Sequence, residues 1–259
     1  MVETASPPLA GKKALVLGIA NEHSIAYGCA RAFRRLGAEL AITYLNDKAR
    51  PYVEPLAREL EAPIFEPLNV QEPGQLEAVF ARTGQTWGKL DIALHAIAFA
   101  PKEDLQGGLL NCSAAGFGLA MDVSCHSFVR MARLAAPLMT EGGTLLAMSF
   151  HGAEKVISDY AVMGPVKAAL EAAVRYLAYE LGSRHIRVHA ISPGPIQTRA
   201  ASGLKDFDQL LEQAAQRAPM GELVDIDDVG MAAAYLATEA ASRLTGSTLY
   251  VDAGLNIMA

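Results

Sequence analysis

Cysteine is scarce: the 259 residues hold three, Cys29, Cys112 and Cys125, an odd number widely spaced. A disulfide framework is excluded, and reduced thiols in a cytoplasmic protein are expected. The six histidines and these cysteines have no metal-ligand spacing, so no metal site is expected. Long apolar runs are also missing. None approaches the roughly 18 residues of a membrane span, so no membrane partner is expected. Residues 1–10 carry Glu3 and two prolines but no apolar core of a secretory leader, and the reading is of none. Runs of like charge are absent and the net charge is −6, which argues against a nucleic-acid partner. A single tryptophan, Trp87, reads as packing.

What is abundant is apolar, 51% of residues, enough for one sizeable core. Nearly continuous apolar runs recur at 14–17, 39–44, 63–68, 91–98, 143–150, 186–192 and 247–252. Helical patterns lie between them near 47–60, 73–87, 114–139, 158–182 and 226–238, with another opening near Ser24. Strands without polar alternation, separated by helices, predict an α/β fold: a doubly wound, seven-stranded parallel sheet of Rossmann-like type, built as a single domain over 1–259. Ligands of such a sheet sit off the carboxyl ends of the strands.

Two places there draw attention. After the first strand, Gly18 lets the backbone approach a phosphate, and Ser24 with the Ile25 amide lies at a helix N-terminus, where free amides favour an anion. The three-glycine fingerprint is absent, so a plain tight turn competes with a dinucleotide loop. The turn after the second strand, Leu45-Asn46-Asp47, holds no Arg or Lys to receive a 2′-phosphate, although Lys48 and Arg50 follow. NADH is therefore favoured over NADPH. The second place is Tyr160 with Lys167. Apolar residues from 166 to 182 recur at helical steps, and seven residues is nearly two turns. Both side chains are expected to leave one helical face roughly 10 Å apart along the axis, a phenol above an ammonium. A core Tyr and a surface Lys sharing a face would have the same spacing. Pro165 is expected to kink the helix between them. His95 and His151, near strand ends, read as structural rather than catalytic.

Gly18 with Ser24, the run His95-Ala96-Ile97-Ala98-Phe99-Ala100-Pro101, Tyr160 with Lys167, and the run 192–198 (Ser-Pro-Gly-Pro-Ile-Gln-Thr) together resemble the bacterial enoyl-acyl-carrier-protein reductases of the short-chain dehydrogenase/reductase superfamily. The likeness runs from about Gly11 to Gly254. Its most discriminating feature is Tyr, six residues, then Lys, where ordinary short-chain dehydrogenases place Lys four after Tyr. The resemblance implies hydride transfer from NADH to a trans-2-enoyl thioester in fatty-acid synthesis, with Tyr160 donating to the thioester oxygen and Lys167 holding the nicotinamide ribose. It implies cofactor contacts at Gly18, Ser24, Ile25, Leu45, Asn69, Val70, Ile97, Lys167, Ile196, Gln197, Thr198, Arg199 and Ala200. Substrate contacts are implied at Ala98, Ala100, Phe150 and Phe207. A substrate lid at about 199–221, an acyl-carrier-protein thioester as substrate, and a homotetramer burying the helix from Ala114 to Met139 are likewise implied.

The chain departs from relatives in four ways. Phe150 stands where many carry a second Tyr, Asn69 where Asp is common, and Ala98 where Gly is common. Asp208 and Glu222 stand where bases often meet the acidic carrier, which weakens its steering. A 3-oxoacyl or other carbonyl reductase, or an NAD-binding paralogue without catalysis, would share much of this pattern.

Overall fold

A computed structural model describes residues 6–196, 198 and 207–258, and the backbone alone for residues 207–210. Seven parallel strands form one sheet: β1 (Lys13–Leu17), β2 (Glu39–Tyr44), β3 (Ile64–Pro67), β4 (Ile92–His95), β5 (Gly143–Met148), β6 (Ile186–Pro193) and β7 (Thr248–Val251). Their spatial order is 3-2-1-4-5-6-7, as the doubly wound reading requires. The chain reverses direction of winding between β1 and β4, and a crevice opens off their carboxyl ends.

The strands are apolar on both faces because both are covered. Along β1, Leu15 and Leu17 join one buried cluster while Ala14 and Val16 join the other. The first cluster is closed by α3 (Gln75–Trp87), α5 (Ala114–Met121), α6 (Ser127–Ala135) and α7 (Met163–Leu181). The second is closed by α1 (Ile25–Arg35), α2 (Arg50–Glu59) and α9 (Ile226–Ala237). Short α4 (Lys102–Gln106) follows β4, and α8 (Phe207–Arg217) precedes α9. A capping box at Asp225 and Asp228 starts α9. Where α1 crosses α9, Gly28 lies against Gly230: a Cβ on Gly28 would come within 2.6 Å of the Ile226 carbonyl carbon.

Three sequence expectations are corrected. The 114–139 helix is not regular: Asp122–His126 forms a π-turn between α5 and α6. The fourth strand stops at His95, three residues early, because the chain leaves the sheet there to line the crevice. The 158–182 helix begins only at Met163, so Tyr160 precedes it. Pro165 explains that start. It is the third helical residue, where a backbone N–H has no intrahelical acceptor to lose, so it opens α7 instead of kinking it. The lone Trp87 packs as expected, its Nε1 donating to Glu39 Oε1 at 2.6 Å with Lys13 Nζ 5.5 Å from the ring centre. No helix among the described residues is long and apolar enough to cross a membrane. All three cysteines are free thiols.

Candidate active site

Off the carboxyl ends of β1, β4, β5 and β6 lies a cavity of about 420 Å3. Gly18, Ser24, Ile25, Ile97, Ala98, Ala100, Phe150, Tyr160, Lys167, Ile196 and Thr198 line it, all singled out from the sequence.

One end of the cavity is built by the β1–α1 turn. Gly18 has φ +105°, and a Cβ there would come within 2.7 Å of the Ala96 carbonyl carbon, so only glycine lets β1 and β4 end side by side. Ser24 Oγ accepts from the amides of Ala20 and Asn21 at 3.0 and 3.1 Å, which shapes the turn and leaves α1 with no side-chain cap. The first turn of α1 carries no acidic side chain. Uncapped amides facing a cavity, with the positive end of the helix dipole behind them, fit a pyrophosphate.

At the far end stand Tyr160 and Lys167. Tyr160 sits in a tight turn whose flanking residues, Asp159 and Ala161, have φ +61° and +38°. Non-glycine residues there cost on the order of 1–2 kcal/mol each, and such strain gathers at functional sites. The turn presses the ring edge-on against Phe150, centres 5.0 Å apart. Beneath it, a Cβ on Gly152 would come within 2.7 Å of the Tyr160 ring. Burial pushes the phenol above its ordinary pKa, so it remains a proton-bearing donor at neutral pH. Lys167, on the second turn of α7, is 5% exposed and donates from Nζ to the Met148 carbonyl at 2.6 Å. Burial pulls its ammonium down to about 8, and the Glu171 carboxylate acts against that fall. The two groups converge on one cavity, although only Lys167 belongs to the helix.

Between the ends runs the segment after β4. Ser124, turned inward by the π-turn, accepts from the Phe99 amide at 2.9 Å and donates to the Phe99 carbonyl at 3.1 Å. The backbone flanked by Ala98 and Ala100 is thereby clamped, and π-turns recur at such places. Sequence periodicity gave no hint of this, nor of Ser149, Ile157 and Met163, which also line the cavity. The polar ends of strands, where apolar runs break, would have pointed to Ser149.

Three other residues expected at the cofactor, Leu45, Asn69 and Val70, lie apart. Leu45 is exposed just past β2, and Val70 is buried in the core beyond β3. Asn69 Oδ1 accepts from the Gln71 amide at 3.1 Å. These three share the strand-end edge with the cavity but do not line it. Gln197, Arg199, Ala200 and the first part of the 199–221 segment lie outside the described residues, as does the side chain of Phe207. His95 is structural: its Nε2 lies 2.6 Å from Ser127 Oγ, and burial lowers its pKa to about 3. His151, half-buried against Phe150 with ring centres 4.6 Å apart, is likewise held neutral, chiefly by burial. No group of three or more His, Cys, Asp or Glu among the described residues could hold a metal.

Comparison with known proteins gives a consistent picture. The family model described as enoyl-(acyl carrier protein) reductase matches residues 18–256. The chain is 45% identical over 250 residues to enoyl-[acyl-carrier-protein] reductase [NADH] 1 of Rhizobium meliloti, covering 96% of this chain and 92% of that one. It is 44% identical to the NADH enoyl-[acyl-carrier-protein] reductase of Escherichia coli, covering 97% and 96%. The crystal structure of the Anaplasma phagocytophilum enoyl-(acyl-carrier-protein) reductase in complex with NAD superposes with a TM-score of 0.94 at 41% identity, covering 98% of this chain and 97% of that one.

Proposed function

The chain belongs to the enoyl-(acyl carrier protein) reductase family and is an NADH-dependent enoyl reductase of fatty-acid synthesis; from that premise we propose how its cleft reduces the trans-2 double bond of an enoyl thioester. The observation that carries the proposal is the convergence of Tyr160 and Lys167 on the cavity whose other end is the uncapped start of α1. Bound NADH supplies the hydride that reaches C3 of the enoyl group. The α1 amides and Ser24 turn hold the pyrophosphate, and Lys167 holds the nicotinamide ribose. Tyr160 donates to the thioester oxygen as negative charge gathers on it, and burial keeps that phenol protonated for the task. C2 then takes the phenol proton as the enolate collapses, and solvent returns a proton to Tyr160, so that one hydride and one proton are added in all. Ile97, Ala98, Ala100 and Phe150 form an apolar wall that excludes water from the reacting carbons. Phe150 shapes this wall without donating, so Tyr160 is left as the phenolic donor of the wall.

Supplying NADH with crotonyl thioester, then with acetoacetyl thioester, tests the reaction by loss of NADH absorbance. Turnover of the first is expected. Turnover of the second alone would mean a carbonyl reductase, and NADH binding with neither a non-catalytic paralogue. Lys167→Ala is expected to weaken NADH binding about tenfold or more, because a desolvated charge-assisted contact is lost. Titration of NADH fluorescence checks this, and unchanged affinity would remove the lysine from the cofactor site.

The acyl group is carried by acyl carrier protein in this reading, with the 199–221 segment, including α8, as a lid over the chain. A homotetramer is supported by the exposed aromatics Phe117 on α5 and Tyr176 and Tyr179 on α7, neighbouring helices with more apolar surface than one sheet face needs. Three free thiols, two of them buried, suit the reducing cytoplasm.

A further inference from the structure

Tyr160 and Lys167 do not exhaust the buried ionisable groups at the cleft. Glu171 lies one helical turn after Lys167 on the same face of α7 and is 5% exposed. It faces a polar row on an otherwise apolar side of the sheet. Ser149, just past β5, donates from Oγ to Glu171 Oε1 at 2.5 Å. Thr248 and Tyr250 on β7 stand beside the same carboxylate. Ser192, in register with Tyr250, completes the row; its buried hydroxyl has no hydrogen-bond partner among the described residues.

Ser149 also lines the cavity and is joined to Met148, whose carbonyl holds the Lys167 ammonium. Glu171 and Lys167 thus grip the same strand end from adjacent turns of one helix.

A buried ammonium needs a counter-charge. Around Lys167 stand Cys125 of the π-turn, His95 of β4, Tyr160 and Glu171, with Arg130 of α6 beyond His95. Burial keeps the Cys125 thiol, the Tyr160 phenol and the His95 ring uncharged near neutral pH. Glu171 differs from them. Burial raises its pKa and Glu154 adds to the rise, but the bond from Ser149, the neighbouring Thr248 hydroxyl and the nearby Arg175 favour its carboxylate.

We propose that Glu171 is a positioning residue for the reduction: it supplies the buried negative charge that keeps Lys167 an ammonium, and through Ser149 it fixes the strand end that holds that ammonium. The inference rests on the role of Lys167 at the cofactor ribose.

The test is NADH affinity measured by fluorescence against pH, with no thioester present. Wild-type affinity is expected to fall through a basic limb near pH 8, where Lys167 loses its proton. Glu171→Gln keeps the shape and an oxygen for Ser149 but removes the charge. Its limb is expected about one pH unit lower, so affinity near the wild-type limb drops severalfold and converges with wild type in acid. Glu171→Asp, which keeps the charge, is expected to restore most of the limb. Ser149→Ala, which removes a donor to the carboxylate, is expected to move the limb the same way by less, and serves if the Gln variant does not fold. A wild-type limb that neither Glu171→Gln nor Ser149→Ala moves overturns the role of Glu171 alone. Absence of any limb in wild type, with normal NADH binding by Lys167→Ala, overturns the role of Lys167 and this inference with it.

Discussion

Tyr160→Phe is expected to lower kcat for an enoyl thioester by at least about a hundredfold while NADH affinity holds. The substitution deletes a single oxygen. The ring still packs edge-on against Phe150 and over Gly152, so the strained turn and the apolar wall are preserved. What disappears is a preorganised donor aimed at charge that develops only in the transition state, worth about 3–4 kcal/mol. Two features make the loss large here. Phe150 offers no second hydroxyl to take over, and the alanines and isoleucine of the wall leave little room for a water in its place. KM should change little, because the ground-state thioester oxygen is only a weak acceptor. Steady-state kinetics with crotonyl thioester, beside a fluorescence titration of NADH, separates the two quantities. A variant that turns over at the wild-type rate would remove the phenol from the chemistry.

The second large effect is on stability. Gly28→Ala is expected to destabilise the fold by about 3 kcal/mol, lowering Tm by roughly 6–12 °C for a chain of this size. At Gly28 the axes of α1 and α9 come so close that an added methyl would overlap the Ile226 carbonyl, and backbone cannot rotate aside as a flexible side chain can. The helices must separate, opening the cluster around Ala26, Ala30, Phe33 and Val229. The N-terminus of α1 also lines the cavity proposed to hold the cofactor, so NADH affinity should weaken with stability. Differential scanning calorimetry reads the first effect; a Tm within a degree or two of wild type would mean that the crossing is looser than it stands.

The order of strands and helices was legible because it is a matter of local pattern. Runs without polar alternation declare strands buried on both faces, and β1 bears this out with neighbours pointing into opposite cores. Gly18 and Ser24 could be brought to the cavity from the sequence because a tight strand-to-helix turn needs particular residue types at fixed offsets. Tyr160 and Lys167 were found from their spacing, yet the geometry attached to that spacing was wrong for the tyrosine. Periodicity cannot tell a helix from the turn that feeds it, and Pro165, read as a kink, marks where α7 begins.

The sequence by itself determined a parallel, doubly wound sheet, the strand ends where a dinucleotide fits, and the phenol and amine that share the cavity there, because each of these is written in short stretches of chain. Only the tertiary structure decided that β4 ends at His95, that a π-turn aims Ser124 at the Phe99 backbone, and that Glu171 reaches Ser149. Those pairings join residues some twenty or more positions apart. They depend on how helices settle against the sheet, and no local periodicity records where two distant elements meet.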